Sequence, residues 1–332
     1  MSYQAEKRKT EREWKKWKLV LLTVALVALI GLCIFSAFIP PATWKYHVAK
    51  PSVSKRKTGE LRIHFLDVGQ GDCTLIELPD GKTMLIDGGE GSSETEKRIL
   101  RYLNALDIDR LDYLVATHTD VDHCGGLAEI VKNKKIGAAY LPPVKETTNT
   151  EYAALYAALL KEKCTVEIAT RKTQLSVLDG ECPYTLSFLY PLIDSAEEEN
   201  LSDKGDNTHS SVLWLDYKGA SALFMGDAPF ETENRLLFDS KMELFSVYGV
   251  DLASTELLKV AHHGSKFSTS LEFLQYLNVK KTFISCGENN LYRHPTDEVL
   301  QRLESVNSEI YRTDLDGTVM VTISENGEIS VS

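Results

Sequence analysis

LDYLVATHTDVDHCGG, residues 111–126, reads as an apolar strand that runs straight into a loop crowded with ionisable groups. His118, Asp120, Asp122 and His123 all fall in that loop. Residues two apart at a strand end point the same way, so His118 and Asp120 converge on one point. Asp122 and His123, one step further into the loop, turn toward a second. Imidazole and carboxylate are the donors that suit Zn²⁺, Mn²⁺ or Fe²⁺ at neutral pH. Packed this closely, they compete or repel unless a cation lies among them. Gly125 and Gly126 then let the backbone bend tightly into a helix without a Cβ clash. The competing reading, a polar loop of solvated acids, weakens when the rest of the chain is considered.

Other apolar runs end in the same way. FLDVGQGD (65–72) delivers Asp67 and Asp72, LIDGG (85–89) delivers Asp87, and FMGDA (224–228) delivers Asp227. LKVAHHGS (258–265) delivers His262 and His263, and RHP (293–295) carries His294. In open sheets, the C-terminal strand edge is where sites collect. Strands are expected near 62–66, 73–78, 82–86, 113–116, 138–141, 186–190, 211–216, 222–225, 257–260, 281–285 and 319–323. Helices are expected over 94–106, 151–161, 232–247, 271–276 and 297–304. Ile99, Leu103 and Leu106 share one face of the first of these. Asn326-Gly327 marks a hairpin turn. The class is α/β with much antiparallel pairing, and a helix–sheet–sheet–helix layering accommodates this many strands.

The 332 residues carry a formal net charge of −11, unevenly divided. Residues 1–60 hold 12 of the 37 Lys/Arg and 4 of the 48 Asp/Glu, net +8, which leaves residues 61–332 at −19. So acidic a region is no non-specific DNA coat, which needs a basic face. With 43% hydrophobic residues, the bulk is neither disordered nor a polytopic membrane protein. Six cysteines include no C-x-x-C pair, which excludes a zinc ribbon or a thioredoxin motif and leaves open a single Cys164–Cys182 bridge.

Leu19 to Ile39 run without a charge, long enough at about 1.5 Å per residue to cross a hydrocarbon core of about 30 Å. Seven Lys/Arg between Lys7 and Lys18 precede the run and favour a cytoplasmic N-terminus. Trp14, Trp17 and Trp44 sit where interfacial aromatics belong. A cleaved signal peptide is the alternative, but its apolar core is shorter, about 7–15 residues. The expected organisation is a basic cytoplasmic tail (1–18), a transmembrane anchor (19–39), a tether (40–60) and an extracellular domain (61–332). The protein is thus expected at the cell membrane as a single-pass species.

The blocks quoted above, together with Asn207–Ser210, resemble the metallo-β-lactamase superfamily, and within it the extracellular hydrolase domain of the ComEC DNA-uptake proteins. HTDVDH stands where the wider superfamily writes HxHxDH, with Asp120 in place of the second His. The resemblance covers roughly residues 61–325. ComEC proteins also carry a many-helix pore domain, whereas this chain has one apolar segment, so DNA transport does not carry over.

The resemblance implies an αββα sandwich holding two divalent metal ions, Zn²⁺ or Mn²⁺. His118 and Asp120 would bind one ion, Asp122 and His123 the other, with Asp227 bridging. One of His262 and His263, preferably His263, would complete the second site. His209 lies where the superfamily often has a further ligand, and it is a candidate ligand or substrate contact. Asp67, Asp72 and Asp87 would cap backbone amides or hold ligand histidines in place.

A dinuclear site activates water for attack and screens charge in the transition state. That makes Asp122 essential, with His262 or His294 as the proton donor to a leaving alkoxide and Ser265 and Lys266 contacting phosphate oxygens. The expected activity is phosphodiester hydrolysis, as a nuclease acting on DNA. The alternatives are a surface phosphodiesterase for phosphocholine, lipid headgroups or small nucleotides, and a non-catalytic anchored binding module. No segment singles out an obligate protein partner. Cys124 is expected in the core, and His64 faces away from the site because it alternates with Ile63 and Phe65.

Overall fold

The structure, a computed structural model, describes residues 3–38, 40–144, 149–192 and 207–332. It divides into two compact units, residues 1–50 and 51–332. In the first, helix α1 (Tyr3–Phe38) runs through the basic segment and the apolar segment alike. Its stretch Lys7–Ser36 is long and apolar enough to cross a membrane. Ile39, the expected end of that span, lies outside the described residues. Lys18 Nζ sits 4.0 Å over the Trp14 ring, a cation–π contact near the start of the apolar run.

The second unit begins earlier than Leu61. Arg62, buried on the first strand, donates to Ser54 O at 2.6 Å, and Tyr217 donates to Gly59 O at 2.6 Å. The basic residues read as a tether therefore include a segment stitched onto the domain.

Strands β1 (Leu61–Phe65), β2 (Thr74–Glu77), β3 (Thr83–Ile86), β4 (Arg110–Val115), β5 (Lys135–Leu141) and β6 (Thr165–Ile168) belong to one sheet. Strands β7 (Thr185–Tyr190), β8 (Val212–Tyr217), β9 (Ala220–Phe224), β10 (Leu257–Lys259), β11 (Lys281–Ile284) and β12 (Glu309–Arg312) form a six-stranded second sheet. The chain then returns to the first sheet as β13 (Val319–Ile323) and β14 (Ile329–Val331), which joins eight strands in the order β14-β13-β1-β2-β3-β4-β5-β6. The β13–β14 hairpin closes through Asn326-Gly327 as expected, with Gly327 N donating to Ser324 O at 2.9 Å.

A shared apolar core lies between the sheets. Phe65 of β1 stacks on Phe283 of β11 at 4.3 Å, and Phe283 stacks on Tyr311 of β12 at 5.3 Å. Helices α2 (Ser93–Ala105), α4 (Leu127–Asn133) and α5 (Thr150–Glu162) cover the first sheet, and α3 (Val121–Cys124) is a single turn in the His/Asp loop. On the far side, α6 (Phe230–Asp239), α8 (Leu271–Leu277) and α9 (Asp297–Ser305) enclose a second core beneath β9–β11. Four layers result, αββα.

The expected helix over 232–247 is interrupted. After α6 it widens into a π turn (Ser240–Leu244) before α7 (Phe245–Tyr248) ends it. Strands β6, β12 and β14 escape the sequence reading because none presents an apolar run. Their exposed or half-buried edges are set by pairing. Within the sheets β3, β4 and β5 run parallel, as do β9, β10, β11 and β12. Their C-terminal ends thus carry Asp87, His118, Asp227, His262 and His263 to one edge.

Candidate metal centre

Asp227, 2% exposed, is the pivot of this edge. Its two carboxylate oxygens face different partners. Oδ1 lies 3.1 Å from His123 Nε2 and 3.9 Å from His263 Nε2. Oδ2 lies 3.7 Å from His118 Nε2 and 3.6 Å from His262 Nε2. Asp122 Oδ2 reaches His263 Nε2 at 3.2 Å, while Asp120 Oδ2 stands 3.8 Å from His118 Nε2. The residues predicted from sequence therefore gather in two groups about Asp227: His123 and His263 face Oδ1, with Asp122 against His263, and His118 and His262 face Oδ2, with Asp120 against His118. Both histidines of the pair 262–263 reach Asp227, one on each side.

The backbone is bent to allow this. His262 (φ 50, ψ 47) and His263 (φ 52, ψ 19) are consecutive left-handed residues. Such conformations cost non-glycine residues about 1–3 kcal/mol each and cluster at functional sites. Gly71 meets a second demand. At φ +119 it passes so close to the His/Asp loop that a Cβ would lie 2.2 Å from Asp122 O. Asp72 N donates to that same carbonyl at 3.0 Å, locking the DVGQGD turn beneath the loop.

The other acids divide by role. Asp87 accepts from Thr117 N at 2.8 Å and from Thr117 Oγ1 at 2.7 Å, and it faces His123 Nδ1 at 2.8 Å. It sets the tautomer that leaves His123 Nε2 pointing at Asp227. Asp72 stands behind His263. Its Oδ1 is 3.2 Å from His263 Nδ1, which also donates to Ser285 O at 2.9 Å. Asp67 is further out, accepting from Gly69 N at 3.1 Å and pairing with Arg98 at 3.1 Å.

The sequence reading missed Lys259. Its side chain is buried and its ammonium pairs with Asp72 Oδ2 at 2.6 Å. The signal was present: a lysine between Leu258 and Val260 on a buried strand requires a counter-ion. Asn207 lies in a block whose pattern assigns it no individual role, yet its amide lies 3.3 Å from His262 Nδ1. His209, from the same turn, meets the Thr208 hydroxyl instead, at 3.3 Å. Ser265 is buried, and its hydroxyl accepts from Phe267 N at 3.4 Å, so it serves its own loop. Lys266 is exposed. His294 stands T-shaped against His262 with ring centroids 5.5 Å apart.

The residues set aside lie where expected. His64 is fully buried between Tyr102 OH (2.9 Å) and Glu77 Oε1 (3.1 Å), on the helix side of its strand. Cys124 is buried and its thiol donates to Thr119 O, with burial pushing its pKa up to about 12. Cys164 and Cys182 are free thiols.

The electrostatics fit a cation. Burial alone would raise Asp227, but the positive His123 and His263 outweigh it and hold the carboxyl well below its usual range. Burial opposes protonation of His263, yet Asp227 and Asp72 push it up to about 10. His123 is likewise driven upward against burial by Asp227 and Asp87. His118 goes the other way, lowered by burial and by His123. The acids thus draw positive charge toward His123 and His263, and among the described residues Lys259 is the lysine paired with this cluster. Asp72, His123, Asp227 and His263 offer donor atoms all within 4.8 Å of one another. Asp227 Oδ1, His118 Nε2 and Asp72 Oδ1 are buried without a hydrogen bond. Buried donors and acceptors are rarely left orphaned, and these three belong to the residues of this cluster, where a divalent metal would satisfy them.

The family model of the metallo-beta-lactamase superfamily matches residues 66–288. ComE operon protein 3 of Bacillus subtilis is 31% identical over 277 residues, covering 79% of this chain and 33% of that protein. Competence protein ComA of Neisseria gonorrhoeae is 28% identical over 268 residues, covering 81% of this chain and 33% of that protein. The chain thus spans about a third of the length of these curated relatives. Among solved structures, the metallo-beta-lactamase fold protein YhfI from Bacillus subtilis aligns with a TM-score of 0.48 at 11% identity, covering 82% of this chain and 100% of that one.

Proposed function

The chain belongs to the metallo-beta-lactamase superfamily, and we propose that it is a membrane-anchored, metal-dependent phosphodiesterase that cleaves DNA. The observation that carries this is the division of Asp227, one oxygen toward His123 and His263 and the other toward His118 and His262. One carboxylate serving two donor groups suits a pair of divalent ions, Zn²⁺ or Mn²⁺. Bound there, such ions would acidify a water and neutralise charge on phosphoryl oxygens.

In this reading His118, Asp120, Asp122, His123, Asp227 and His263 hold the metal. Asp87 and Asp72 fix the rings of His123 and His263 from behind, so neither donor nitrogen needs to reorient during a turnover. His262 Nε2, with 33% of its side chain exposed, faces both Asp227 and solvent. It delivers the proton to the leaving oxygen, and Asn207 orients its other nitrogen. Lys266 and Arg293 are exposed cations, able to meet a substrate phosphate on a domain that is otherwise acidic. The names of the competence relatives favour DNA as the substrate. The −19 charge of residues 61–332 favours a small diester instead, and a binding module without activity is the third reading.

The test uses the full chain in detergent with Mn²⁺ or Zn²⁺ on single-stranded DNA, duplex DNA and bis-p-nitrophenyl phosphate. Metal-dependent DNA cleavage that disappears in Asp122→Ala is the expected result. Cleavage of the small diester with DNA intact moves the substrate to lipid, wall polymer or nucleotide. A folded protein that retains no metal and cleaves neither is a binding module.

A further inference from the structure

Beside the metal cluster, one loop turns aromatic surface outward. Leu291, Tyr292 and Arg293 are three consecutive exposed residues, Leu291 at 97% and Tyr292 at 67%. The Tyr292 ring stacks on His294, with centroids 5.8 Å apart and planes 24° from parallel. His294 in turn stands against His262, whose Nε2 approaches Asp227. A ladder of rings thus leads from open solvent to the candidate metal centre. The loop is held in this position: Asn290 donates to His294 O at 2.6 Å and accepts from His294 N at 2.9 Å. Thr296 N donates to Gly264 O at 3.0 Å, joining it to the His-His-Gly turn.

Leaving a tyrosine and a leucine this exposed at the lip of a polar site costs hydration free energy. A tyrosine packed on one face and open on the other presents what an unpaired nucleobase needs. Bases in a duplex are stacked on both sides, and exposing one costs a few kcal/mol. We propose that Tyr292 is a specificity-determining residue, stacking an unpaired base next to the scissile phosphate and selecting single-stranded nucleic acid. Arg293 lies on the same loop, a charge for the adjoining phosphate. This rests on the phosphodiesterase reading above.

The wild type, Tyr292→Ala and Tyr292→Trp, as full chains with Mn²⁺ or Zn²⁺, are assayed on three substrates: a single-stranded oligonucleotide, the same oligomer with abasic sites, and bis-p-nitrophenyl phosphate. Stacking on an aromatic is worth about 1–3 kcal/mol per base. The alanine variant is expected to lose about 5- to 150-fold in kcat/KM on the oligonucleotide relative to the abasic oligomer, chiefly through KM, and tryptophan to restore it. Equal losses on all three substrates would show that Tyr292 only props His294, and would overturn the proposal. So would an unchanged ratio. A wild-type protein active on the small diester and on no oligomer removes the stacking role while keeping the hydrolase. One that cleaves no diester with either metal removes the phosphodiesterase reading itself, and the stacking role with it.

Discussion

At the residue scale, the carboxylates behind His123 and His263 decide which way those two rings present their other nitrogen. The Asp87 carboxylate meets Thr117 N, Thr117 Oγ1 and His123 Nδ1, on a left-handed backbone at φ 60. Asp87→Asn keeps the shape and removes the charge. It should weaken Mn²⁺ binding about 10- to 100-fold, the usual effect of losing such a partner, read by calorimetric titration. Unchanged affinity would mean His123 is oriented by Thr117 alone. His64 gives a separate prediction, remote from the metal. Burial lowers its pKa, against the pull of Glu77. The unfolded ring takes up its proton near pH 6.5, and the folded one only at lower pH. Its contribution is therefore present above that pH and lost as pH falls below it. In His64→Gln, thermal stability should fall less steeply between about pH 6.5 and 5 than in the wild type. Parallel curves would show that His64 charges in the fold.

At the element scale, strand ends and tight turns matter more than strand interiors. β4 was legible because its apolar run stops at the first ligand type. β6, β12 and β14 were not, because edge strands exchange side-chain burial for backbone pairing. The His-His turn after β10 illustrates the limit of pattern reading. Sequence placed both histidines at the site but left their division open. Two left-handed residues in succession point them to opposite oxygens of Asp227. Gly71 is the converse case, a position where the loop opposite leaves no room. Gly71→Ala should displace Asp122 and abolish metal-dependent hydrolysis, and retained activity would show that the two loops can separate without cost. Between the sheets, Phe65 holds the aromatic stack together. Phe65→Ala should cost about 3–5 kcal/mol in denaturant unfolding, the range for large buried aromatics.

At the scale of the whole molecule, the chain is two units of opposite charge. The basic, apolar N-terminal unit and the acidic αββα unit each account for their own compactness. The full chain should sediment with membranes, and a chain beginning at Pro51 should be soluble, folded and active on the small diester. An insoluble product would mean that residues before Pro51 contribute to the fold. A chain beginning at Leu61 should be less stable, because Arg62 and Tyr217 lose their acceptors at Ser54 and Gly59.

The sequence by itself carried the αββα class, the apolar span and most of the side chains that the fold gathers around Asp227. Strand periodicity and the clustering of ionisable groups at strand ends are local patterns, and they survive without coordinates. The partnership of Asp72 with Lys259, the turning of Ser265 into its own loop and the reach of Asn207 to His262 belonged to tertiary structure. So did the exposure of Tyr292 beside His294. Each depends on segments far apart in the chain meeting at one sheet edge. What a side chain touches there follows from backbone geometry, which composition and spacing do not encode.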